Sequence, residues 1–134
     1  AGVAIYRVGA IKDIPGVRKY VAIDGGMADN VRPALYGSRY EAIVANKANK
    51  EALERVAIVG KFCESGDVLV KDAEIPKVIA GDIIAIPVSG AYCLSMASNY
   101  NASLMPAIVL VKDSSARLIR RRENYDDLMS CDVG

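Results

Sequence analysis

The chain has 134 residues, of which 52% are hydrophobic, and a chain of this length can form one globular domain with a core of its own. Its 17 lysines and arginines against 16 aspartates and glutamates leave a net charge of +1, which lacks the excess of positive charge that attracts nucleic acid or an acidic membrane surface. Histidine is absent, which excludes a Ser-His-Asp triad and histidine metal ligands. From length, charge and composition together, we expect a single domain over residues 1–134 that binds no metal, nucleic acid or membrane.

Short segments rich in valine and isoleucine recur along the chain, with Gly, Pro or Asp between them. Segments of this composition and spacing predict the strands of a β-sandwich or barrel. In chain order, we predict strands at Val3–Val8, Lys19–Ile23, Tyr40–Ala45, Arg55–Val59, Asp67–Val70, Asp82–Ile86, Pro106–Val111 and Ala116–Arg120.

Helical periodicity is sustained nowhere for more than about two turns. The best candidates for short helices are Ala91–Ser98 and Tyr125–Ser130. No internal repeat, low-complexity segment or long linker divides the chain. We therefore expect a mainly β fold, a mostly antiparallel Greek-key barrel or sandwich with these two short helices.

The chain has three cysteines, Cys63, Cys93 and Cys131, and no CxxC pair. An odd count without paired spacing argues against a disulfide framework and against a structural zinc site. Apolar runs such as Pro106–Val111 are far shorter than the ~20 residues that span a bilayer. We expect a cytoplasmic protein and, because the chain begins at Ala1 rather than Met, a processed protein or a part of a longer one.

Three segments interrupt the strand pattern with residues that a simple barrel does not need. They are Asp24–Tyr36, Gly60–Asp67 and Ser89–Asn101, and each follows a predicted strand. Loops held by a rigid scaffold are where functional groups usually lie. The segments are therefore the candidates for a functional site.

Taken singly, the residues of these loops have ordinary explanations. Arg32 is typical of a surface cation, and Tyr36 and Tyr92 are typical of core residues whose hydroxyl reaches water. A free cysteine such as Cys63 is most often a small buried hydrophobic residue, and Glu64 is ordinarily solvated. The case for a function depends on the loops taken together.

The basic run Arg120–Arg122 resembles a phosphate-binding patch. On a strand, neighbouring side chains point to opposite faces, so the run does not form one basic surface. Acidic residues that follow it offset its charge, at Glu123, Asp126 and Asp127. This agrees with the expectation that nucleic acid is not a partner.

Together the loops closely resemble the carboxy-terminal sheet domain of diaminopimelate decarboxylases, pyridoxal-phosphate enzymes of the alanine-racemase fold group. The resemblance runs in order over essentially the whole chain, with small departures at Val31, where a proline is frequent, and at Phe62 and Cys93, where the residue varies. It is carried by Val21–Asn30, Arg32–Tyr36, Cys63–Asp67, Gly90–Tyr92, Met96–Asn101 and Arg120–Tyr125.

This resemblance implies a two-domain enzyme in which a TIM barrel binds pyridoxal 5'-phosphate and the sheet domain packs beside it. It also implies a homodimer whose active sites combine one barrel with loops of both sheet domains. The cofactor lysine and the glycine-rich phosphate cradle belong to the barrel, and neither is recognisable in this chain. We therefore expect the chain to be the sheet domain alone and to be inactive by itself.

The resemblance also implies roles for five residues. Cys63 matches the proton donor, presented across the dimer interface, and its neighbour Glu64 matches a ligand of the substrate's distal ammonium group. Arg32 and Tyr36 match substrate contacts, and a guanidinium group suits the distal carboxylate that the substrate keeps. Tyr92 matches a tyrosine that contacts both substrate and cofactor.

The leading hypothesis is decarboxylation of meso-2,6-diaminopimelate to L-lysine and CO2. The alternative within the enzyme class is a related decarboxylase of a basic amino acid, acting on ornithine, arginine or carboxynorspermidine. Arg32 together with Glu64 favours a zwitterionic distal end, since a buried arginine repels a purely cationic one. A third hypothesis is a non-catalytic β-barrel interaction module.

Overall fold

Short segments rich in valine and isoleucine form the strands of the chain. The structure is a computed structural model that describes residues 2–133. The chain divides into two units between Ala97 and Ser98. The strands of the first unit are β1 (Ala4–Ile14), β2 (Arg18–Ile23), β3 (Ile43–Val44), β4 (Glu54–Val59), β5 (Val68–Ile75) and β6 (Ile83–Ile86). Its helices are α1 (Arg32–Tyr36), a 3₁₀ turn (Ala45–Lys47) and α2 (Cys93–Met96).

The first unit contains one six-stranded sheet in the order β3-β6-β1-β2-β4-β5. Its neighbouring strands are antiparallel, except that β2 and β4 run parallel. The sheet is nearly closed into a barrel. This confirms the predicted class, a mainly β and mostly antiparallel barrel-like fold with short helices.

On β1 and β6 the core of this unit follows the two-residue period of a strand. Tyr6 and Val8 are buried on β1, and Ile84 and Ile86 are buried on β6, while the residues between them are more exposed. Burying one such side chain contributes roughly 1.5–3 kcal/mol. The other large core residues are Val21, Ile23, Val44, Val56, Ile58, Leu69, Val70, Ile75 and Val78.

The predicted strands are present, and most lie within two residues of their predicted bounds, but three differ in length by four residues or more. β1 continues to Ile14 because it pairs with β2 as far as Arg18, across a bulge that interrupts its apolar pattern. β5 continues to Ile75, paired with Glu54. The strand predicted at Tyr40–Ala45 shrinks to Ile43–Val44, since the chain turns directly into the 3₁₀ turn.

The predicted helices are both shorter than expected. The helix predicted at Ala91–Ser98 covers only α2, because Ala97 is already extended, with φ −62° and ψ 151°. Helix α1 was not predicted at all. Its signals were a proline in the first turn and Gly37 at the C-cap, whose φ of 64° favours glycine.

The second unit contains a 3₁₀ turn (Tyr100–Ala102), a β-hairpin and a short helix. Strands β7 (Ile108–Lys112) and β8 (Ser115–Arg120) pair antiparallel. The helix predicted at Tyr125–Ser130 is α3 (Tyr125–Leu128), which begins with a reciprocal capping box between Asn124 and Asp127. Arg121 donates two hydrogen bonds of 2.6 Å to the Asp127 carboxylate, so the basic run is partly neutralised within its own unit.

Between residues 2 and 133, no helix is long and apolar enough to cross a membrane. In the same range, no group of three Cys, Asp or Glu side chains is arranged to hold a metal ion.

A buried ion pair ties the 3₁₀ turn to the start of β6. Asp82, 5% exposed, accepts hydrogen bonds from Asn46 Nδ2 at 2.8 Å, from Lys47 Nζ at 2.5 Å and from the backbone N–H of Ile79 at 2.8 Å. Burial by itself raises the pKa of this carboxyl, but the three donors outweigh burial and lower the pKa below its usual value. The ionised carboxylate therefore stabilises the fold.

We expect Asp82→Asn to lower the free energy of unfolding of the chain by about 1.5–3 kcal/mol at neutral pH, the range for a hydrogen bond to a charged group. Because the folded pKa is lowered, this contribution is present above the unfolded pKa of about 3.9 and is lost as the pH falls through the folded value. Urea unfolding of both chains at neutral and at acidic pH measures the effect. A difference that does not shrink in acid contradicts the ion-pair explanation.

Candidate functional site

Three loops begin side by side at one edge of the sheet. β2 and β4 are parallel neighbours, so their C-terminal ends meet at the same edge. β6 is antiparallel to β1, which is antiparallel to β2, so β6 ends at that edge as well. Loops 24–31, 60–67 and 87–92 therefore start together, and they belong to the three segments that carry the sequence resemblance.

The buried carboxylate of Asp67 joins the first two loops. Asp67 is 3% exposed. Its Oδ1 accepts a hydrogen bond from the backbone N–H of Met27 at 2.6 Å, and its Oδ2 accepts one from the N–H of Phe62 at 2.9 Å. The N–H of Lys61 also donates to the carbonyl of Gly25 at 3.0 Å. The two loops therefore form one hydrogen-bonded structure.

Gly26 and Gly60 provide the space for this carboxylate. A Cβ at Gly26 would lie 2.6 Å from Asp67 Oδ1 and 2.9 Å from the Phe62 ring, and a Cβ at Gly60 would overlap the Asp67 carboxylate. Close approach between the loops thus requires glycine at both positions.

Arg32 lies between two tyrosine rings. Its backbone N–H donates to Asn30 Oδ1 at 3.2 Å, which orients the start of α1. Its guanidinium carbon is 5.5 Å from the centre of the Tyr36 ring and 5.2 Å from that of Tyr92, both within cation–π range. The tyrosines are 61% and 65% exposed, so the ordinary explanation of them as core residues is wrong.

A groove of about 510 Å³ opens beside this cluster. Guanidinium and phenol groups on its walls can donate hydrogen bonds to an anionic group, and a carboxylate can accept from a cationic one. The side chains that provide these groups are Arg32, Arg39, Tyr40, Glu41 and Tyr92.

The third loop, residues 87–92, has an unusual backbone conformation where it lines the groove. Tyr92 has φ of 66° and Val88 has φ of 59°, a left-handed conformation that is costly for residues other than glycine, and most of all for a β-branched one. Both residues line the groove. Strained backbone of this kind is common at functional sites, and here it accompanies the placement of the Tyr92 ring against Arg32.

Cys63 and Glu64 occupy the exposed part of loop 60–67. The Cys63 thiol is free and exposed, contrary to the ordinary expectation for cysteine, whereas Cys93 is the buried one. Glu64 Oε1 accepts hydrogen bonds from Ser65 Oγ at 3.3 Å and from the N–H of Gly66 at 3.1 Å. The structure thus brings Arg32, Tyr36 and Tyr92 together and presents Cys63 and Glu64 separately, at the surface.

The turn within loop 60–67 that carries Cys63 and Glu64 is nevertheless a neighbour of α1. A Cβ built on Gly66 would lie 3.6 Å from the Cβ of Ala34, in ordinary van der Waals contact. The turn with the exposed thiol and the helix with Arg32 therefore pack beside each other within the first unit.

Sequence reasoning missed three residues of this region. Asp67 ends the segment Gly60–Asp67, and the neighbouring glycines are the only sequence signal of its role. Asn30 lies two residues before Arg32, the spacing of an Asx turn, in which the Asn side-chain oxygen accepts the backbone N–H two residues further on. Tyr40, whose hydroxyl is 3.6 Å from Cys93 Sγ, carried no signal; burial raises its pKa above the usual value.

Comparison with known proteins gives a consistent result. Residues 1–90 match the family described as pyridoxal-dependent decarboxylase, C-terminal sheet domain. The chain is 49% identical over 133 residues to the diaminopimelate decarboxylase of Bacillus subtilis (strain 168), an alignment that covers 99% of this chain and 30% of that protein.

Solved structures agree with these sequence matches. The structure of diaminopimelate decarboxylase from M. jannaschii in complex with L-lysine is 42% identical, with a TM-score of 0.88, over 98% of this chain and 30% of that one. The Helicobacter pylori diaminopimelate decarboxylase complexed with L-lysine is 35% identical, with a TM-score of 0.85, over 96% of this chain and 31% of that one. The chain thus spans about 30% of the length of the relatives that it matches.

Proposed function

The chain belongs to the family of C-terminal sheet domains of pyridoxal-dependent decarboxylases, and from this membership we propose that it is the sheet domain of a diaminopimelate decarboxylase. The proposed reaction converts meso-2,6-diaminopimelate to L-lysine and CO2. In this proposal the cofactor-binding barrel is a further domain outside residues 1–134, and the chain supplies substrate-binding and proton-donating groups.

The observation that carries the proposal is Arg32, held between the rings of Tyr36 and Tyr92 at 5.5 and 5.2 Å. Diaminopimelate keeps a carboxylate and an ammonium group at its distal end, whereas ornithine has an ammonium group alone. A half-buried guanidinium group attracts the first and repels the second. Arg32 therefore favours diaminopimelate over the basic amino acids.

The residues of this chain fit a contact with pyridoxal phosphate rather than its main binding site. The half-buried lysines, Lys19 and Lys47, are paired with Glu54 at 2.6 Å and Asp82 at 2.5 Å, so neither is free to attach a cofactor. Tyr92 presents an exposed phenol at the groove and would contact the bound cofactor. Pyridoxal phosphate, when bound, supplies an electron sink for the charge left on Cα as the carboxylate departs.

Cys63 is the proposed proton donor. Loss of CO2 from the amino acid requires one proton at Cα to give L-lysine, and a positioned thiol can supply it in a site from which water is excluded. The thiol then takes a proton back from solvent, so that it is unchanged over the cycle. Its exposed position on loop 60–67 supports this role, because the group must reach a substrate outside this chain.

Glu64 is the proposed ligand of the distal ammonium group. Both hydrogen bonds from its own turn go to Oε1, from Ser65 Oγ and from the N–H of Gly66. These bonds orient the carboxylate, and its Oε2 can accept a hydrogen bond from the ammonium group. Glu64 and Arg32 would together bind the two charges of a zwitterionic end.

We place the enzyme in a homodimer, with the exposed turn of one subunit entering the active site that the other subunit's barrel provides. A cytoplasmic location is part of the proposal, and the three free cysteines support a reducing compartment.

Decarboxylation by the full-length protein and by the 134-residue chain tests this function. With pyridoxal phosphate and diaminopimelate, we expect the full-length protein to release CO2 and form L-lysine, and the chain alone to release none, because it lacks the cofactor lysine. Preferred turnover of ornithine, arginine or carboxynorspermidine would instead identify a basic amino-acid decarboxylase. If the full-length protein decarboxylated none of these four amino acids, the hypothesis of a non-catalytic interaction module would be supported instead.

A further inference from the structure

The proposed function assigns no role to Asp67, the buried carboxylate behind the Cys63–Glu64 turn. At 3% exposure it is one of the few buried charged residues of the first unit. Burial raises the pKa of this carboxyl above its usual value, against the opposing effect of its two backbone N–H donors. Keeping a carboxylate at such a place costs stability and calls for an explanation in the geometry around it.

Asp67 closes the turn that carries Cys63 and Glu64. The side-chain Oδ2 accepts from the N–H of Phe62 at 2.9 Å, directly before Cys63. The backbone N–H of Asp67 donates to the carbonyl of Glu64 at 3.1 Å, and its own carbonyl accepts from the N–H of Gly60 at 2.9 Å. Both sides of the Cys63–Glu64 pair are thus bonded to one residue.

The other carboxylate oxygen of Asp67 holds the loop that leads to Arg32. Oδ1 accepts from the N–H of Met27 at 2.6 Å. Three residues further along, Asn30 donates its N–H to the carbonyl of Gly26 at 3.2 Å and accepts the N–H of Arg32 at 3.2 Å. A short chain of hydrogen bonds therefore connects Asp67 to the start of α1.

We infer that Asp67 is a positioning residue that fixes the exposed Cys63–Glu64 turn and the Arg32 loop relative to each other. One carboxylate, with one oxygen on each loop, sets the placement of the thiol and of the guanidinium group together. The inference rests on the proposed function for its effect on turnover, but the geometry that it describes belongs to this chain alone.

The test is Asp67→Asn in the full-length protein. The amide keeps the size of the side chain but places an NH2 donor where one of two N–H groups needs an acceptor, so one loop is released. We expect kcat to fall by roughly 10²-fold, the loss that a misplacement of about 1 Å can cause. We also expect KM for diaminopimelate to rise, because the Arg32 loop is affected as well.

A second readout does not depend on turnover. We expect the rate at which iodoacetamide alkylates Cys63, measured on its peptide by mass spectrometry, to change in Asp67→Asn, because the turn is no longer fixed. The exposed Cys131 lies in the second unit and serves as the internal reference, whose rate stays as in the wild type.

The matched control is Asp82→Asn. Asp82 is also a buried carboxylate that accepts a backbone N–H, but it lies at the opposite end of β6 from the three loops. We expect this variant to lose stability with kcat and Cys63 alkylation unchanged. Equal effects in the two variants, or wild-type kcat and alkylation in folded Asp67→Asn, would overturn the inference.

Gly26→Ala tests the same idea where Asp67→Asn does not fold. Its added Cβ would lie 2.6 Å from Asp67 Oδ1, so it moves the carboxylate without removing it, and the same two changes are expected. Absence of diaminopimelate turnover in the wild type would contradict the proposed function. The alkylation rate of Cys63 would then still show whether Asp67 fixes the Cys63–Glu64 turn.

Discussion

Replacing Cys63 with alanine in the full-length protein should lower kcat for diaminopimelate by roughly 10²–10⁴-fold, the contribution of a positioned acid–base group. Substrate affinity and cofactor binding should remain nearly as in the wild type, because the thiol gives a proton and holds neither molecule. A thiol reagent should inactivate the wild-type enzyme, and substrate should protect it. Steady-state kinetics with a binding measurement checks each of these results.

Two other cysteines provide the controls. Cys131 is exposed, as Cys63 is, and Cys131→Ala should leave kcat unchanged. Cys93 is buried, so Cys93→Ala should affect stability, by ~1 kcal/mol for a small cavity, and not chemistry. If Cys63 only filled space at a dimer interface, Cys63→Ala would weaken the dimer while kcat stayed normal well above the dimer dissociation constant. That result would end the proposal of a proton donor.

The strands could be predicted because their signal is local. Arg55–Val59 is a short continuous run of apolar, mostly β-branched residues after one arginine, and the observed β4 differs by one residue. The lengths of β1 and β5 depend instead on partners: β1 extends because β2 folds back on it, and β5 extends along β4 through Glu54. Charged residues within these extensions hide them from a search for apolar runs.

The short helices show the same limit. α2 has four residues and α1 has five, so each contains little more than one helical turn and no repeat of the apolar pattern that could be detected. The residues at the ends of each helix determine where it lies. The N-cap of α2 is Tyr92, whose left-handed backbone conformation no sequence rule for tyrosine predicts.

The candidate site was predictable only through resemblance. Composition and spacing alone favoured surface or core explanations for Arg32, Tyr36, Tyr92 and Cys63. What joins these residues is that β2, β4 and β6 end at one edge, a consequence of strand order that no short segment encodes. The role of Asp67 was hidden for the same reason, since its partner Met27 is 40 residues away.

Arg32→Ala in the full-length protein should weaken diaminopimelate far more than it weakens ligands with a purely cationic end. Removing one member of a desolvated charge pair costs roughly 2–5 kcal/mol when its partner is left unpaired. At about 1.4 kcal/mol per factor of ten, that is a loss in kcat/KM of roughly 30-fold to several thousand-fold. For cadaverine or another diamine tested as an inhibitor, the inhibition constant should not rise, because such a ligand has no distal carboxylate and Arg32 repels its cationic end.

Arg39→Ala is the matched control for this prediction, because it removes the same charge from the same groove. Arg39 is exposed, and Arg32 is the arginine held between the rings of Tyr36 and Tyr92. A solvated guanidinium group is screened and contributes little, so the loss in kcat/KM should be much smaller than for Arg32→Ala. Equal losses in kcat/KM for Arg32→Ala and Arg39→Ala would mean that the positive charge of the groove as a whole, and not Arg32, determines selectivity. If Arg32→Ala instead weakened diaminopimelate and diamines equally, Arg32 would be a structural residue only.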